Sequence, residues 1–202
     1  YDVSKAGTYG TLYVKSSDGS YVYVPNANAI NALTSNATDT FTVRASDGSL
    51  SNTQTFTVNI TGVNDTPSAA DKTITINEDT ATLLSVSDFG FSDVDTGSAL
   101  SSVKITSLAS DGTLEYNNGT SWVAVTLNQE ISVADITGNK LRFSPSLNEN
   151  GVTYSTFNFT VNDGTVDSSA KTITYNVTAV NEAPVITSAA TATAIDENSG
   201  AG

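Results

Sequence analysis

The 202-residue chain carries 21 Asp and Glu against 8 Lys and Arg, a formal net charge of −13, and it contains no Cys, no His and no Met. Without Cys and His there is no disulfide framework, thiolate zinc site, thiol nucleophile, Ser-His-Asp triad or imidazole base, and so few cations leave no nucleic-acid footprint. No apolar run reaches membrane-crossing length, and Tyr1-Asp2-Val3-Ser4-Lys5 does not read as a secretory leader, so neither direct membrane insertion nor a signal peptide is expected of this stretch.

In chain order, the apolar residues alternate with the period of half-buried strands. Leu12 and Val14 precede a Ser17-Asp18-Gly19 turn and a Tyr21/Tyr23 strand; Phe41, Val43 and Ala45 alternate, then Phe56, Val58 and Ile60. The pattern resumes with Ile74 and Ile76, with Val103 and Ile105, with Phe157, Phe159 and Val161, and with Ile173, Tyr175 and Val177. Asn118-Gly119 and Asp163-Gly164 supply turns, and Ser132-Val133-Ala134-Asp135-Ile136 ahead of Gly138 is the only helical signal, one or two turns long. Short strands with frequent turns predict an all-β chain of antiparallel β-sandwiches.

The chain also repeats itself, with a unit of about 117 residues. Phe41-Thr42-Val43 through Asp47-Gly48 lies over Phe157-Asn158-Phe159 through Asp163-Gly164, and Thr61-Gly62-Val63-Asn64-Asp65-Thr66-Pro67 lies over Thr178-Ala179-Val180-Asn181-Glu182-Ala183-Pro184. Each Asn-acid-x-Pro is followed by an acidic pair, Glu78-Asp79 and then Asp196-Glu197. The predicted organisation is an incomplete first sandwich over 1–63, a linker at 64–67, a complete sandwich over 68–180, and a linker with the opening strand of a third unit over 181–202.

Acidic residues gather where the repeat places unit ends: Asn64-Asp65 at the linker, Asp93-Val94-Asp95-Thr96-Gly97 on a Gly-containing bend, and Asp163 closing a strand. Hard cations take six to eight oxygens, and a D-x-D before Gly sets two carboxylates around one ion. Four such carboxylates with only Lys72 nearby repel by roughly 1 kcal/mol per close pair in water, a cost that a divalent ion reverses. An EF-hand is excluded, because numbering from Asp93 puts Lys104 where the bidentate Glu belongs. A glycosidase pair of Asp93 and Asp95 is disfavoured, since a short bend offers no apolar pocket to keep one of them protonated. A lone Asp-Gly is ordinarily a turn former. Trp122 and the set Tyr9, Tyr13, Tyr21, Tyr23 admit two readings, sugar-stacking platform or sheet packing, of which packing is favoured; Asn59-Ile60-Thr61 reads as an accident of composition.

The order Glu78, then Asp93-Val94-Asp95-Thr96-Gly97, Leu147-Asn148-Glu149-Asn150, Phe159-Thr160-Val161-Asn162-Asp163-Gly164 and Val180-Asn181-Glu182-Ala183-Pro184 resembles the calcium-ligand series of cadherin repeats. Gly10-Thr11-Leu12 through Tyr21-Val22-Tyr23-Val24-Pro25-Asn26 is similar to the VCBS pattern, and Asp88-Phe89-Gly90-Phe91-Ser92-Asp93-Val94-Asp95 with Leu141-Arg142-Phe143-Ser144-Pro145 is similar to the bacterial cadherin-like repeats of large RTX-type surface adhesins. The resemblance implies cadherin/Ig-like sandwiches and calcium at two junctions. At the first, Asn64 and Asp65 would meet Asp93, Asp95 and Asp163, with Asn26 or Asn28 as weak additions. At the second, Glu78 and Asn148-Glu149-Asn150 would meet Asn181 and Glu182, with weaker binding because Asn148 and Asn150 stand where acids are expected. Asp47 would serve a junction in front of the first unit. The implied function is a calcium-rigidified extender of a secreted or cell-surface bacterial adhesin, used in adhesion or biofilm formation, with neighbouring repeats as partners and no catalysis. Two alternatives are a sugar- or protein-binding sandwich, and a strand-donating filament subunit that self-associates head to tail through 181–202.

Overall fold

The computed structural model describes residues 1–183, so the expected opening strand of a third unit lies outside the described residues beyond Ala183. Near the N-terminus, β1 (Val3–Ala6), β2 (Gly10–Val14) and β3 (Tyr21–Pro25) form an antiparallel sheet in that order. The β2–β3 turn is the one read from Ser17-Asp18-Gly19: Gly19 takes φ 72°, and Asp18 accepts from Ser20 N at 2.9 Å. A ten-residue-per-strand hairpin, β4 (Ala37–Ser46) and β5 (Ser51–Ile60), faces this sheet. The tyrosines pack across the gap: the Tyr21 ring sits 4.7 Å from Phe56 and Tyr23 6.1 Å from Phe41, both edge-on.

Between β3 and β4 runs α1 (Ala27–Asn31), a helix the apolar periodicity did not predict. Its cause is local, since Asn26 caps it by accepting from Ala29 N at 3.3 Å and alanines fill the turn. One turn shows no face repeat, and the N-cap was the available signal.

The larger assembly has two facing sheets. One is ordered β11 (Glu130–Ser132), β8 (Ser102–Ile105), β13 (Gly151–Asn162), β14 (Lys171–Thr178), β6 (Lys72–Asn77); the other is β10 (Trp122–Ala124), β9 (Thr113–Asn117), β12 (Leu141–Ser144), β7 (Thr82–Leu83). The helical signal was read correctly: α2 (Val133–Thr137) is capped by Ser132, which accepts from Asp135 N at 3.1 Å, and ends at Gly138. The alternating apolar residues face inward. Val103, Ile105, Phe157, Phe159, Val161, Ile173 and Tyr175 are all fully buried, each such side chain worth about 1.5–3 kcal/mol. Phe143 stacks on Tyr175 at 3.9 Å and Phe89 meets Phe159 edge-on at 5.0 Å. Trp122 lies on edge strand β10, where the Arg142 guanidinium covers its ring at 4.0 Å and donates to Glu115 at 2.7 Å, so the indole is occupied by packing.

One pairing corrects the all-antiparallel expectation. β6 runs parallel to β14, from Ile173 opposite Lys72 to Thr178 opposite Asn77. The physical reason is directional: a chain that enters a sandwich at one end and leaves at the other must run its first and last strands the same way. The parallel pair therefore puts Asn64-Asp65 and Asn181-Glu182 at opposite ends of the larger sandwich.

Candidate metal centre at the ends of the larger sandwich

At the incoming end, the linker is stitched to the sandwich by its own polar groups. The Asn64 side chain donates to Asp65 O at 2.7 Å and to Asp163 Oδ2 at 2.9 Å. Asp65 N donates to Asp95 Oδ2 at 2.7 Å. Asn64 and Asp65 thus tie the end of β13 to the Asp93-to-Gly97 bend, and Thr96 N reaches across to Ala32 O of the N-terminal assembly at 3.0 Å.

The three loop carboxylates differ in what satisfies them. Asp93 is closed within its own bend, Oδ1 accepting from Asp95 N at 3.1 Å and Oδ2 from Ser98 Oγ at 2.6 Å. Asp163 accepts from Thr165 N at 2.7 Å and Val166 N at 2.8 Å as well as from Asn64. Burial pushes its carboxyl up, but the Asn64 amide and the Val166 and Thr165 N–H groups outweigh it and hold it below the usual range. Asp95 is the exception. It is 5% exposed, and its Oδ1 is buried with no hydrogen-bond partner among the described residues. An unpaired buried carboxylate oxygen costs free energy that a bonded one does not. A hydrogen-bond donor or a cation would satisfy it, and the nearby carboxylate and amide oxygens are of the kind a hard ion takes. Among the described residues, however, no three acidic side chains stand together as a ready-made cage. Asn26 is spent as the α1 cap and Asn28 is an exposed residue of that helix, so the N-terminal assembly meets this end through the Ala32 carbonyl instead.

At the outgoing end, Glu78 is 6% exposed and accepts from Val180 N at 2.7 Å and from Asn150 Nδ2 at 3.0 Å. Asn148 N donates to Asp79 Oδ1 at 2.8 Å, and the Asn148 amide, with its nitrogen turned toward Glu182, donates to both carboxylate oxygens at 3.1 Å. Asp79 and Asn148 hold φ of 60° and 57°, a conformation that Asp and Asn tolerate best among non-glycine residues. The fold thus gathers Glu78, Asn148, Asn150 and Glu182, and adds Asp79. Glu149 is turned aside to accept from Tyr154 Oη at 2.8 Å, and Asn181 is exposed.

Two acids have purely architectural partners. Asp47 accepts from Ser49 N at 2.9 Å and Leu50 N at 2.7 Å at the β4–β5 turn. Asp39, which sequence reasoning missed, is 3% exposed on β4 and accepts from Thr8 N at 2.8 Å, Tyr9 N at 3.0 Å and Tyr23 Oη at 2.7 Å, pinning the three-stranded sheet to the hairpin. Desolvation and the Asp39 charge push the Tyr23 hydroxyl up to about 12. The available signal was an acid two residues before Phe41, on the same alternating face of β4 as Phe41, Val43 and Ala45, which marks a buried partner rather than a surface group.

Among solved structures, the chain is similar to a protocadherin gammaB7 EC3-6 cis-dimer structure, at 12% identity over 87% of this chain and 40% of that one, with a TM-score of 0.40. The chain thus spans less than half the length of that relative. No curated protein matches. Residues 64–176, which run from Asn64 at the first linker into β14, match the family described as the bacterial Ig domain. The match covers more than half of the sequence and the strands of the larger sandwich up to the last two residues of β14, and the chain belongs to the bacterial Ig domain family.

Proposed function

We infer that this chain is an extender: tandem sandwiches, divided near 1–63, 64–67 and 68–180, whose junctions bind calcium and hold neighbouring repeats in line within a secreted or cell-surface bacterial adhesin. The observation that carries the reading is Asp95 Oδ1, a buried oxygen without a partner, on a bend hydrogen-bonded to the linker. Asp95, Asp65, Asp93, Asp163 and Asn64 would hold the ion at the incoming end; Glu78, Asn148, Asn150 and Glu182, with Glu149 and Asn181 nearby, are the set at the outgoing end. The ion supplies positive charge where carboxylates otherwise repel. This chain's own contribution is positional: Asn64 fixes Asp163, Asp65 N fixes Asp95, and the parallel β6–β14 pair sends the chain out at the opposite end. Adhesion, or cohesion of a biofilm, follows from reach, and the family and the absence of His and Cys both favour a non-catalytic role.

Calcium-dependent unfolding tests this. At a hundredfold excess over the dissociation constant, calcium stabilises the wild type by about 2.7 kcal/mol, and magnesium by less. Asp95→Asn keeps an acceptor for Asp65 N while removing the unpaired charge at the incoming end, so it is as stable as wild type or more so in chelator and gains less from calcium than the wild type does. Equal melting of the wild type in calcium and chelator rejects the reading.

A further inference from the structure

We propose that Asn150 is a self-modifying position: the backbone nitrogen of Gly151 attacks its side-chain amide, ammonia leaves, and the carboxylate that results turns the outgoing end from a cluster closed by an amide into one that needs a cation. Asn-Gly occurs twice in the sequence, at Asn118-Gly119 and at Asn150-Gly151. In this dipeptide the attack meets least hindrance, because glycine brings no Cβ beside the nucleophilic nitrogen.

The two pairs differ in what holds them. Asn118 Oδ1 accepts from Thr120 N at 3.0 Å, Thr120 Oγ1 at 2.7 Å and Ser121 N at 3.0 Å, while Gly119 N donates to Asn117 Oδ1 at 2.9 Å. Amide and attacking nitrogen are therefore both engaged in one turn. Asn150 is exposed, and among the described residues its side chain is held by one hydrogen bond, from Nδ2 to Glu78 Oε2 at 3.0 Å. Gly151 makes a single ladder pairing, with Val177, before the register of β13 breaks until Ser155. Val152 beside it is 86% exposed and Thr153 takes φ 52°. The backbone there has room to form a ring, and water reaches it.

The chemistry needs only the chain and water. The Gly151 N–Asn150 Cγ bond forms, the Cγ–Nδ2 bond breaks, and the Gly151 N–H proton leaves with Nδ2 as ammonia. Water then opens the succinimide at either carbonyl, giving aspartate or, with the backbone rerouted through Cγ, isoaspartate. Glu78 feels the change directly. It is 6% exposed; its Oε1 accepts from Val180 N at 2.7 Å, and its Oε2 depends on Asn150. Conversion removes that donor and sets a second negative charge against a buried carboxylate, which is costly until a cation lies between them. This consequence rests on the reading that the outgoing end takes calcium, whereas the conversion itself does not.

A Cβ on Gly151 meets nothing within 4 Å, and its φ is not left-handed, so Gly151→Ala leaves the fold unstrained. Incubated at mildly alkaline pH, the full chain releases ammonia, and mass spectrometry finds an OH in place of an NH2 in the peptide holding Asn150 well before the peptide holding Asn118. Gly151→Ala slows this by about tenfold or more. Asn150→Asp, the product made directly, melts below the wild type in chelator and gains more from calcium than the wild type does. Conversion that is missing at Asn150, that comes first at Asn118, or that keeps its rate in Gly151→Ala overturns the proposal. A calcium gain in Asn150→Asp no larger than a clear wild-type gain overturns the cation switch and leaves calcium at the incoming end standing. Indifference of both proteins to calcium rejects the junction reading and the switch together, and leaves the conversion to the peptide data.

Discussion

β13 with β14 and β4 with β5 are the same hairpin by sequence, yet they live in different surroundings. β13 is flanked by β8 and β14 by β6, and Phe157, Phe159 and Tyr175 are sealed beneath a second sheet of four strands. β4 and β5 have no flanking strands among the described residues, and the buried hydrophobic residues of their assembly are Leu12, Phe41 and Ile60. A groove of about 550 Å³ opens between β1–β2 and β4, lined by Leu12, Val14, Phe41 and Val43 among others. A repeat motif therefore specifies a hairpin, while the stability of that hairpin is set by what closes over it.

The largest expected difference lies in the shared phenylalanine. Phe157→Ala costs about 3–5 kcal/mol, the usual price of an aromatic cavity in a closed core. Phe41→Ala, beside the open groove, costs about 2 kcal/mol because the site already borders space and collapses more readily. Urea unfolding with probes in each assembly separates the two. Equal losses would mean that the N-terminal assembly is as closely packed as the larger one.

Asp39 is next. Removing its carboxylate in Asp39→Ala strands the Tyr23 hydroxyl and two backbone N–H groups and costs about 1–3 kcal/mol, confined to the N-terminal assembly by hydrogen exchange. The same contact gives that assembly an alkaline limit. The Tyr23 hydroxyl is raised to about 12 in the fold from the ordinary tyrosine value near 10, so the protonated form is the stabilised one. Its contribution is complete below pH 10 and is lost as the pH rises through about 12. Tyr23→Phe removes this pH dependence; an unchanged alkaline profile would show that another group controls it.

The acidic limit is shared, because Asp47 and Asp163 occupy equivalent turns and both are held below the usual carboxylate range. Stability from such a group is present above the unfolded value near 3.9 and is lost as the pH falls through the lower folded value. Asp163 alone also receives Asn64, so acid loosens the linker as well as the turn. Asn64→Ala reduces the acid sensitivity of the linker amides in hydrogen exchange and leaves that of Asp47's turn unchanged. The smallest effect belongs to the edge strand: Trp122→Ala removes the cation–π contact with Arg142 and costs about 0.5–1 kcal/mol beyond lost burial.

Strand positions in the larger sandwich were legible because Phe157, Phe159 and Val161 or Ile173, Tyr175 and Val177 alternate without interruption, which is what burial of one face demands. The clustering of Asn64, Asp65, Asp95 and Asp163 was legible from the repeat, which placed them at one end. What alternation does not encode is direction, so the parallel β6–β14 pair was missed; nor does it register one-turn helices such as α1. Asp39 and Asp79 escaped because each looks like an ordinary surface or turn acid until its partners, Tyr23 and Asn148, are brought from elsewhere in the chain. Glu149 was placed by motif order at the outgoing cluster, but Tyr154 five residues later holds its carboxylate.

The claim that a cation at the incoming end removes the hinge between the two assemblies is tested most directly by small-angle scattering of the wild type and of Asp93→Ala/Asp95→Ala, each in calcium and in chelator. The account predicts a narrow, rod-like distance distribution for the wild type in calcium, broadening in chelator, and a broad distribution for the double variant in both. Profiles that coincide for all four samples would contradict it and return Asp93 and Asp95 to the role of turn formers.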